Sequence, residues 1–145
     1  VILTKNEELN IERCLRSLTS FDDVRVVDSG STDDTEKLAL ENGAIVHFRK
    51  FDTFSGQRNF AHDSCQLKYD WVLHIDADEE MTEELIAELE TIMSKDHAFD
   101  CFEIPSKLMF LGTFLKYSSD FPVYQVRLLK AHMKFQEIGS GSLFC

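Results

Sequence analysis

Apolar residues in this chain come in short runs, and the spacing between them changes repeatedly along the sequence. Runs rich in β-branched residues predict strands, whereas apolar positions three or four residues apart predict helices. Strands are predicted over residues 1–4, 24–27, 44–48, 71–75, 99–104 and 124–129. Helices are predicted over residues 10–20, 34–42, 55–65 and 82–95. This alternation of strand and helix predicts an α/β fold with three layers (α/β/α) and a mostly parallel sheet.

The predicted strand over residues 71–75 is nearly continuous in apolar residues and leads directly into acidic ones. Flanked by predicted helices, such a run is typical of a parallel strand buried on both faces. Thr82 is then expected to cap a helix that has acidic residues in its first turn. After Pro105 the pattern loses its period. We expect this C-terminal third to form either an antiparallel edge of the same sheet or the start of a substrate-binding subdomain.

The composition is that of one folded domain. The chain has 145 residues, 43% of them hydrophobic, with two Pro and six Gly, which excludes a disordered or collagen-like protein. Its 15 basic and 26 acidic residues give a net charge of −11, which excludes a general nucleic-acid binder, because phosphate neutralisation requires surplus Lys and Arg. No apolar run reaches the roughly 18 residues of a membrane-spanning helix. Four scattered cysteines without a Cys-x-x-Cys pair fit reduced thiols, so a soluble, cytoplasmic protein is expected.

Acidic residues are concentrated in two windows. Residues 76–90 contain eight carboxylates and no basic residue, and residues 22–36 contain six carboxylates against Arg25 alone. Solvated helix faces and helix N-termini explain most of these acids. The exceptions are expected where an acid directly follows a buried strand, since solvation there is poor.

Polar side chains follow three of the predicted strands, over residues 4–7, 28–31 and 76–78. In an open parallel sheet, ligands bind outside the carboxyl ends of the strands, near the point where the strand order reverses. The three polar segments are therefore expected to converge on one crevice.

Asp76 and Asp78 are separated by one small residue, so on an extended segment they face the same side. Two unpaired carboxylates that close would repel each other unless a divalent cation holds both ionised. Mg²⁺ or Mn²⁺ usually binds through one or two carboxylates plus substrate phosphates. The pair therefore predicts a divalent-cation site for a phosphate-bearing ligand. The alternative is that the two acids only cap the following helix.

Four segments resemble motifs of a known family, the inverting, nucleotide-sugar-dependent glycosyltransferases of family 2, which have the GT-A fold. In chain order the segments are Ile2–Glu8, Val27–Thr35, Gly56–Asn59 and Ile75–Glu79. They are similar to the family's opening strand with its "TxNE" turn, to "VDDGSTDxT", to "GxxRN" and to the "DADE" form of its DxD motif. The resemblance covers roughly residues 1–95. With the late segment Tyr124–Leu129, the chain looks most like bacterial enzymes that build lipopolysaccharide core or other surface glycans.

The resemblance implies a nucleotide-sugar donor, with uracil as the expected base. It places Thr4 and Asp28 at the nucleotide base, with Glu7 nearby. A carboxylate such as Asp28 can accept the ring N–H of uracil. The alternative for Asp28 and Ser31 is a plain turn before a helix.

The resemblance also assigns residues to the diphosphate end of the donor. Arg58 would lie close to the base or diphosphate, Asp76 near the ribose, and Asp78 on the metal that bridges the diphosphate, so that Asp76 and Asp78 are the candidate metal ligands. A guanidinium suits a phosphate. The alternative for Arg58 is a surface ion pair with a neighbouring acid.

The implied reaction is a single displacement at the anomeric carbon, in which a carboxylate deprotonates a glycan or lipid-linked acceptor. After Glu103, only Asp120 and Glu137 are available as that base, and Glu137 is preferred. The chain begins at Val1 rather than Met and is shorter than whole enzymes of the family. We therefore expect a donor-binding part over residues 1–105 and a truncated start of the acceptor-binding part over residues 106–145.

Two other functions fit parts of the sequence. Haloacid-dehalogenase phosphatases also carry DxD after an apolar strand, but their motif follows the first strand, whereas three strands precede it here. A non-catalytic nucleotide-sugar-binding module would keep the donor half and lack the base. The aromatic segment 102–117 is open to three interpretations, as part of the core, as an acceptor-binding surface or as a surface that faces a membrane. The basic C-terminal third would suit a lipid-linked acceptor, with peripheral association at the inner face of the membrane. His47 and His74 are expected to be ordinary imidazoles rather than metal ligands, and the oligomeric state stays open.

Overall fold

The computed structural model describes residues 1–95, 98–117, 121–138 and 141–144 of the chain. In chain order its strands are β1 (Ile2–Thr4), β2 (Arg25–Asp28), β3 (Ile45–Phe48), β4 (Trp71–Leu73), β5 (Ile75–Asp76), β6 (Cys101–Ser106), β7 (Met109–Phe110), β8 (Thr113–Phe114), β9 (Val123–Lys130), β10 (Phe135–Ile138) and β11 (Gly141–Phe144). Its helices are α1 (Ile11–Arg16), α2 (Thr35–Glu41), α3 (Phe54–Ser64) and α4 (Glu83–Met93). Among these described helices, none has the length and apolar character needed to cross a membrane.

Four parallel strands form the first sheet, in the order β3-β2-β1-β5. Thr4 at the end of β1 lies opposite Asp28 at the end of β2, and Leu3 lies opposite Asp76 of β5. The carboxyl ends of these three strands therefore meet at one edge of the sheet. The predicted convergence of the three polar segments is confirmed for the strand ends themselves.

The hydrophobic core lies on both faces of the parallel sheet. Adjacent residues in a strand point to opposite faces, so Val26 packs in one cluster and Val27 in the other. The first cluster contains Ile2, Ile11, Cys14, Leu15, Leu18, Val26, Ala39, Ala44, Ile75 and Ala77. The second contains Val27, Ala61 and Cys65, with Val1, Leu3, Phe60 and Leu67 packed against it. Helices α1 and α2 thus cover one face and α3 the other, which confirms the predicted three-layer α/β fold.

The segment 71–76 differs from the single parallel strand that its apolar run predicts. Residues of β4 pair antiparallel with β9, whereas β5 pairs parallel with β1. Between them, the His74 amide donates to the Arg127 carbonyl at 2.7 Å and the Ile75 amide donates to the Val1 carbonyl at 3.1 Å. The prediction was wrong for Trp71–Leu73, because an apolar run indicates burial and does not indicate which strand will pair with it.

The C-terminal third contributes a second, antiparallel sheet in the order β4-β9-β6. One of the two sequence-based alternatives was an antiparallel edge of the parallel sheet. Antiparallel strands are present, but they form a separate sheet. The short hairpin β7-β8 follows β6, with Leu111 and Gly112 at positive φ in its turn. Strands β10 and β11 form a further antiparallel pair.

The predicted helices are present, with capping residues that explain where two of them begin. The Thr82 hydroxyl accepts a hydrogen bond from the Leu85 amide at the start of α4, as predicted. At the start of α3, the Thr53 hydroxyl accepts from the Gly56 amide. Helix α1 ends at Arg16, earlier than predicted, because the backbone continues from there in tight turns.

Two histidines, the half-buried His62 of α3 and the buried His74 between β4 and β5, lie in contact with each other. His62 Nδ1 is 2.8 Å from the Ala131 carbonyl, which can only accept, so Nδ1 carries the proton. In neutral His62, Nε2 then accepts from His74 Nε2, 2.8 Å away. His74 is 2% exposed, and its Nδ1 has no partner among the described residues. Burial lowers the pKa of both imidazoles, that of His74 well below its ordinary value.

This pair makes stability depend on pH. Because the pKa values are lowered in the folded state, the unfolded chain takes up protons first as the pH falls below about 6.5, and the stability is lost there. We expect the free energy of unfolding, measured in urea, to decrease between pH 7.5 and 5.5 by up to about 1.4 kcal/mol per pH unit for each histidine.

A matched pair of variants separates this effect from general acid sensitivity. His74→Asn should flatten the pH dependence, whereas His132→Asn, which changes an exposed histidine, should leave it unchanged. Equal slopes for the unmodified chain and His74→Asn would show that the pair does not control the pH response.

Candidate functional site

A cavity of about 890 Å³ opens at the carboxyl edge of the parallel sheet. It lies between the strand ends, the first turns of α3 and the antiparallel sheet. Its lining comprises Leu3, Thr4, Lys5, Glu7, Ser29, Phe51, Phe54, Gln57, Arg58, Asp76, Ala77, Asp78, Glu103, Tyr124, Gln125, Val126 and Phe135. Ligand cavities in proteins commonly have volumes of roughly 300–1,000 Å³, so this one has room for a substantial small molecule.

Five of the residues predicted at the site line this cavity: Thr4, Glu7, Arg58, Asp76 and Asp78. Thr4 is 5% exposed, and its hydroxyl has no hydrogen-bond partner among the described residues. Glu7 accepts a hydrogen bond from the Asn10 side chain at 2.9 Å. An unpaired buried hydroxyl is costly unless a ligand satisfies it, so Thr4 is the stronger indication of binding.

Asp28 is not part of the cavity lining. It is 4% exposed, and its Oδ1 accepts from the amides of Gly30 and Ser31, both at 2.8 Å. Its Oδ2 accepts from the Ser31 hydroxyl. Gly30 has φ +92° in the same turn. The turn considered as the alternative for Asp28 and Ser31 is therefore present, and the carboxylate holds the loop after β2 in shape.

The Gly56–Asn59 segment lies in the first two turns of α3 and ties the helix to its surroundings. A Cβ at Gly56 would lie 2.5 Å from Asp52 Oδ1, so only glycine fits without movement. Gln57 is 1% exposed and donates from Nε2 to Ser29 Oγ and to the Arg49 carbonyl, each at 2.9 Å. These contacts fix the helix start against the loop after β2.

Arg58 and Asn59 continue the same turn on the cavity side. The Arg58 guanidinium lies over the Phe135 ring, 5.2 Å from its centre, and burial lowers the pKa of Arg58 while the Asp76 charge raises it. Asn59 exchanges two hydrogen bonds with the Phe135 backbone, both at 2.9 Å. Arg58 is thus a half-buried cation facing the cavity, rather than the surface ion pair considered as its alternative.

The acidic motif after β5 is partly neutralised by a residue from β9. Arg127 Nη2 donates to Asp76 Oδ2 at 2.8 Å and to Glu79 Oε1 at 2.7 Å. Glu79 also accepts from the Ser106 hydroxyl and from the Asp76 amide. Asp78, by contrast, is exposed and makes no hydrogen bond or ion pair within the described part of the chain.

The free carboxylate groups fit a hard divalent cation. Asp78 and the Oδ1 of Asp76 are oxygen ligands of the type that Mg²⁺ and Mn²⁺ prefer, and both residues line the cavity. Among the described residues, no group of three or more His, Cys, Asp or Glu side chains could hold a metal ion. A cation here would therefore need further oxygen ligands from a bound molecule such as a diphosphate.

The two candidate bases cannot be placed in the site. Asp120 lies outside the described residues. The backbone of Glu137 belongs to β10, two residues after Phe135 of the cavity wall, but its side chain also lies outside the described part.

Sequence reasoning missed Arg127 and the cavity residues Glu103, Tyr124 and Phe135. Arg127 did carry a signal, because it is a charged residue next to the buried pair Leu128 and Leu129 in one strand. A buried charge is almost always paired, so a partner among the nearby acids could have been expected.

Comparison with known proteins identifies the family of this chain. Residues 1–141 match the profile of Glycosyl transferase family 2. An uncharacterised glycosyltransferase of Rickettsia typhi is 40% identical over 114 residues, which are 77% of this chain and 38% of that protein. The lipopolysaccharide core biosynthesis glycosyltransferase LpsC of Rhizobium meliloti is 34% identical over 96 residues, or 61% of this chain and 35% of that protein. The chain thus spans less than two fifths of the length of these curated relatives.

A solved structure shares the fold. Glucosyl-3-phosphoglycerate synthase from Mycobacterium tuberculosis, in complex with Mg²⁺ and UDP, is 25% identical and aligns with a TM-score of 0.53 over 64% of this chain and 38% of that one. Because the family profile extends over nearly the whole chain, the protein described here belongs to glycosyl transferase family 2 and has the GT-A fold.

Proposed function

We propose that this chain binds a UDP-linked sugar in the cavity at the carboxyl edge of its parallel sheet, and that it is the donor-binding part of an inverting glycosyltransferase. The observation that carries the proposal is the meeting of Thr4, Arg58, Asp76 and Asp78 in one cavity. These residues come from three separate segments of the sequence, and each segment resembles a motif of the family.

The two ends of the donor would contact different walls of the cavity. Thr4, whose buried hydroxyl has no partner within the described ranges, supports base recognition beside the loop that Asp28 holds. Arg58, half-buried and positively charged, supports binding of the diphosphate. The related synthase that aligns with this chain has been crystallised with UDP, which favours uracil as the base.

The cation would be held by Asp78, with Asp76 as its second candidate ligand. When bound, a divalent cation neutralises the diphosphate and makes it a better leaving group. The crystallised synthase contains Mg²⁺ beside UDP, which supports the same cation type here.

The proposed reaction is one displacement. The acceptor hydroxyl gives its proton to the carboxylate of Glu137, with Asp120 as the second candidate, while its oxygen bonds to the anomeric carbon. The bond between that carbon and the diphosphate oxygen breaks, and its electron pair leaves with UDP. Because attack comes from the face opposite the diphosphate, the anomeric configuration inverts.

The first prediction for this function concerns Asp78. Calorimetry should show UDP binding that is strengthened by Mn²⁺, and Asp78→Asn should abolish the strengthening, because the free carboxylate of the motif is lost. Glu88→Gln, which removes an exposed carboxylate of α4, is the matched control and should bind as the unmodified chain does. Unchanged Mn²⁺ dependence in Asp78→Asn would refute the metal assignment.

The second prediction separates an enzyme from a binding module. With Mn²⁺ and a panel of UDP-sugars, we expect the chain to release UDP slowly by transfer to water, and Glu137→Gln to reduce this release at least tenfold while donor affinity stays unchanged. Asp120→Asn serves as the comparison and should retain the release. Tight donor binding without any release would favour the non-catalytic module.

The acceptor is proposed to be a glycan or a lipid-linked glycan, because LpsC is named for lipopolysaccharide core biosynthesis.

The hairpin β7-β8 supports access to a membrane surface. Its residues Leu108, Met109, Phe110 and Leu111 are each more than half exposed, and Leu111 is 90% exposed. The exposed Lys107 and Lys116 flank this apolar tip, and no acidic residue lies between them. Apolar contact and attraction to anionic headgroups would act together at such a tip.

The third prediction tests this hairpin with vesicles of phosphatidylcholine, with and without phosphatidylglycerol. The chain should sediment with the anionic vesicles, and the double variant Phe110→Ser/Leu111→Ser should lose most of that binding. Leu9→Ser, at a position 89% exposed in a different part of the chain, should not. Equal sedimentation of both variants would contradict a membrane role for the hairpin.

A further inference from the structure

Arg127 links the antiparallel sheet to the floor of the cavity. Its side chain is 6% exposed, and it holds both Asp76 and Glu79, as described above. The backbone carbonyl of Arg127 accepts a hydrogen bond of 2.7 Å from the amide of His74, which precedes Asp76 by two residues. Residue 127 is therefore bound to the segment 74–79 through its backbone and through its side chain.

The ion pairs leave the acids of the motif in different states. Glu79 is fully engaged, because Oε1 accepts from Arg127 and Ser106 and Oε2 accepts from the Asp76 amide. Asp76 keeps only Oδ1 free of the guanidinium. Asp78 is the motif's one acid without a partner in the described part of the chain.

Packing and stability do not by themselves account for an arginine at this position. A buried ion pair is often no more stable than well-packed apolar residues of similar size. The Nη1 group of Arg127 is also buried without a hydrogen-bond partner among the described residues. An unsatisfied buried donor destabilises the folded state, so this fold carries a penalty here.

We propose that Arg127 is a positioning residue for the donor site. By holding Asp76 and Glu79, it fixes the turn after β5 so that Asp78, the acid of the motif without a partner among the described residues, faces the diphosphate and its cation. Arg127 is absent from the cavity lining, so it acts through the two acids and not by contact with the donor. This role rests on the proposed function.

The test is the strengthening of UDP binding by Mn²⁺, taken as the ratio of the UDP dissociation constants without and with the cation. Arg127→Gln should reduce this ratio at least tenfold, because Asp76 and Glu79 lose their partner and the turn loses its anchor. Arg127→Lys should restore part of it, since an ammonium can pair with one acid but lacks the planar fork that holds two. Glu79→Gln, which keeps the arginine, should also reduce the ratio.

The matched control is Arg13→Gln. Arg13 pairs with Glu80, the next residue along the motif, at 2.9 Å, but both side chains are about half exposed. Removing this exposed pair should leave the ratio unchanged. In the Asp78→Asn background, Arg127→Gln should have no further effect on the ratio, because the group it positions is gone.

The possible outcomes are distinct. If Arg127→Gln lowers the melting temperature but leaves the ratio unchanged in the folded protein, the positioning role is wrong and the residue is only structural. If Arg127→Gln does not fold, Arg127→Lys and Glu79→Gln are measured instead, and an unchanged ratio in both would equally refute the positioning role. If the unmodified chain binds no UDP with Mn²⁺, the proposed function itself fails, and the positioning role fails with it.

Discussion

The passage of one chain segment from the antiparallel sheet into the parallel sheet is the constraint on which the site depends. Residues 71–73 pair with β9, and two residues later the chain pairs with β1. His74, between them, donates its amide to Arg127. Because of this crossing, the acidic motif emerges where both sheets meet, and a cavity can form with the parallel strand ends on one side and β6 and β9 on the other.

Hydrogen bonds join the loop after β1 to the loop after β2. Asn6, at φ +57°, donates its amide to the Ser31 hydroxyl and accepts from the Thr32 amide, both at 2.8 Å. The Glu7 amide donates to the Thr35 hydroxyl at 2.7 Å. Backbone groups that would otherwise be unsatisfied in a tight loop are thus paired across two strand ends. The cavity rim is ordered in advance, which lowers the entropy that a ligand must remove on binding.

The charged side chains of the site are only partly paired with one another. The chain carries an excess of acid, yet Arg127 and the nearby Arg58 offset the acidic motif. Asp78 stands apart as a carboxylate without a protein partner in the described residues. A cation would pair with the carboxylate of Asp78, and a diphosphate would pair with the guanidinium of Arg58. The charges of the site therefore favour a negatively charged ligand that binds together with a cation.

The sequence by itself determined the α/β alternation, the strand ends that meet and the motif residues Thr4, Arg58, Asp76 and Asp78, because hydrophobic periodicity and local motifs act over a few neighbouring residues. It did not determine that residues 71–76 serve two sheets, since an apolar run records burial and leaves the choice of pairing strand open. Nor did it distinguish Asp28, which holds a turn, from Asp78, which has no partner among the described residues. Only the tertiary structure decided these points, because Arg127 reaches its acidic partners from about fifty residues further along the chain, and such long-range pairing has no local pattern.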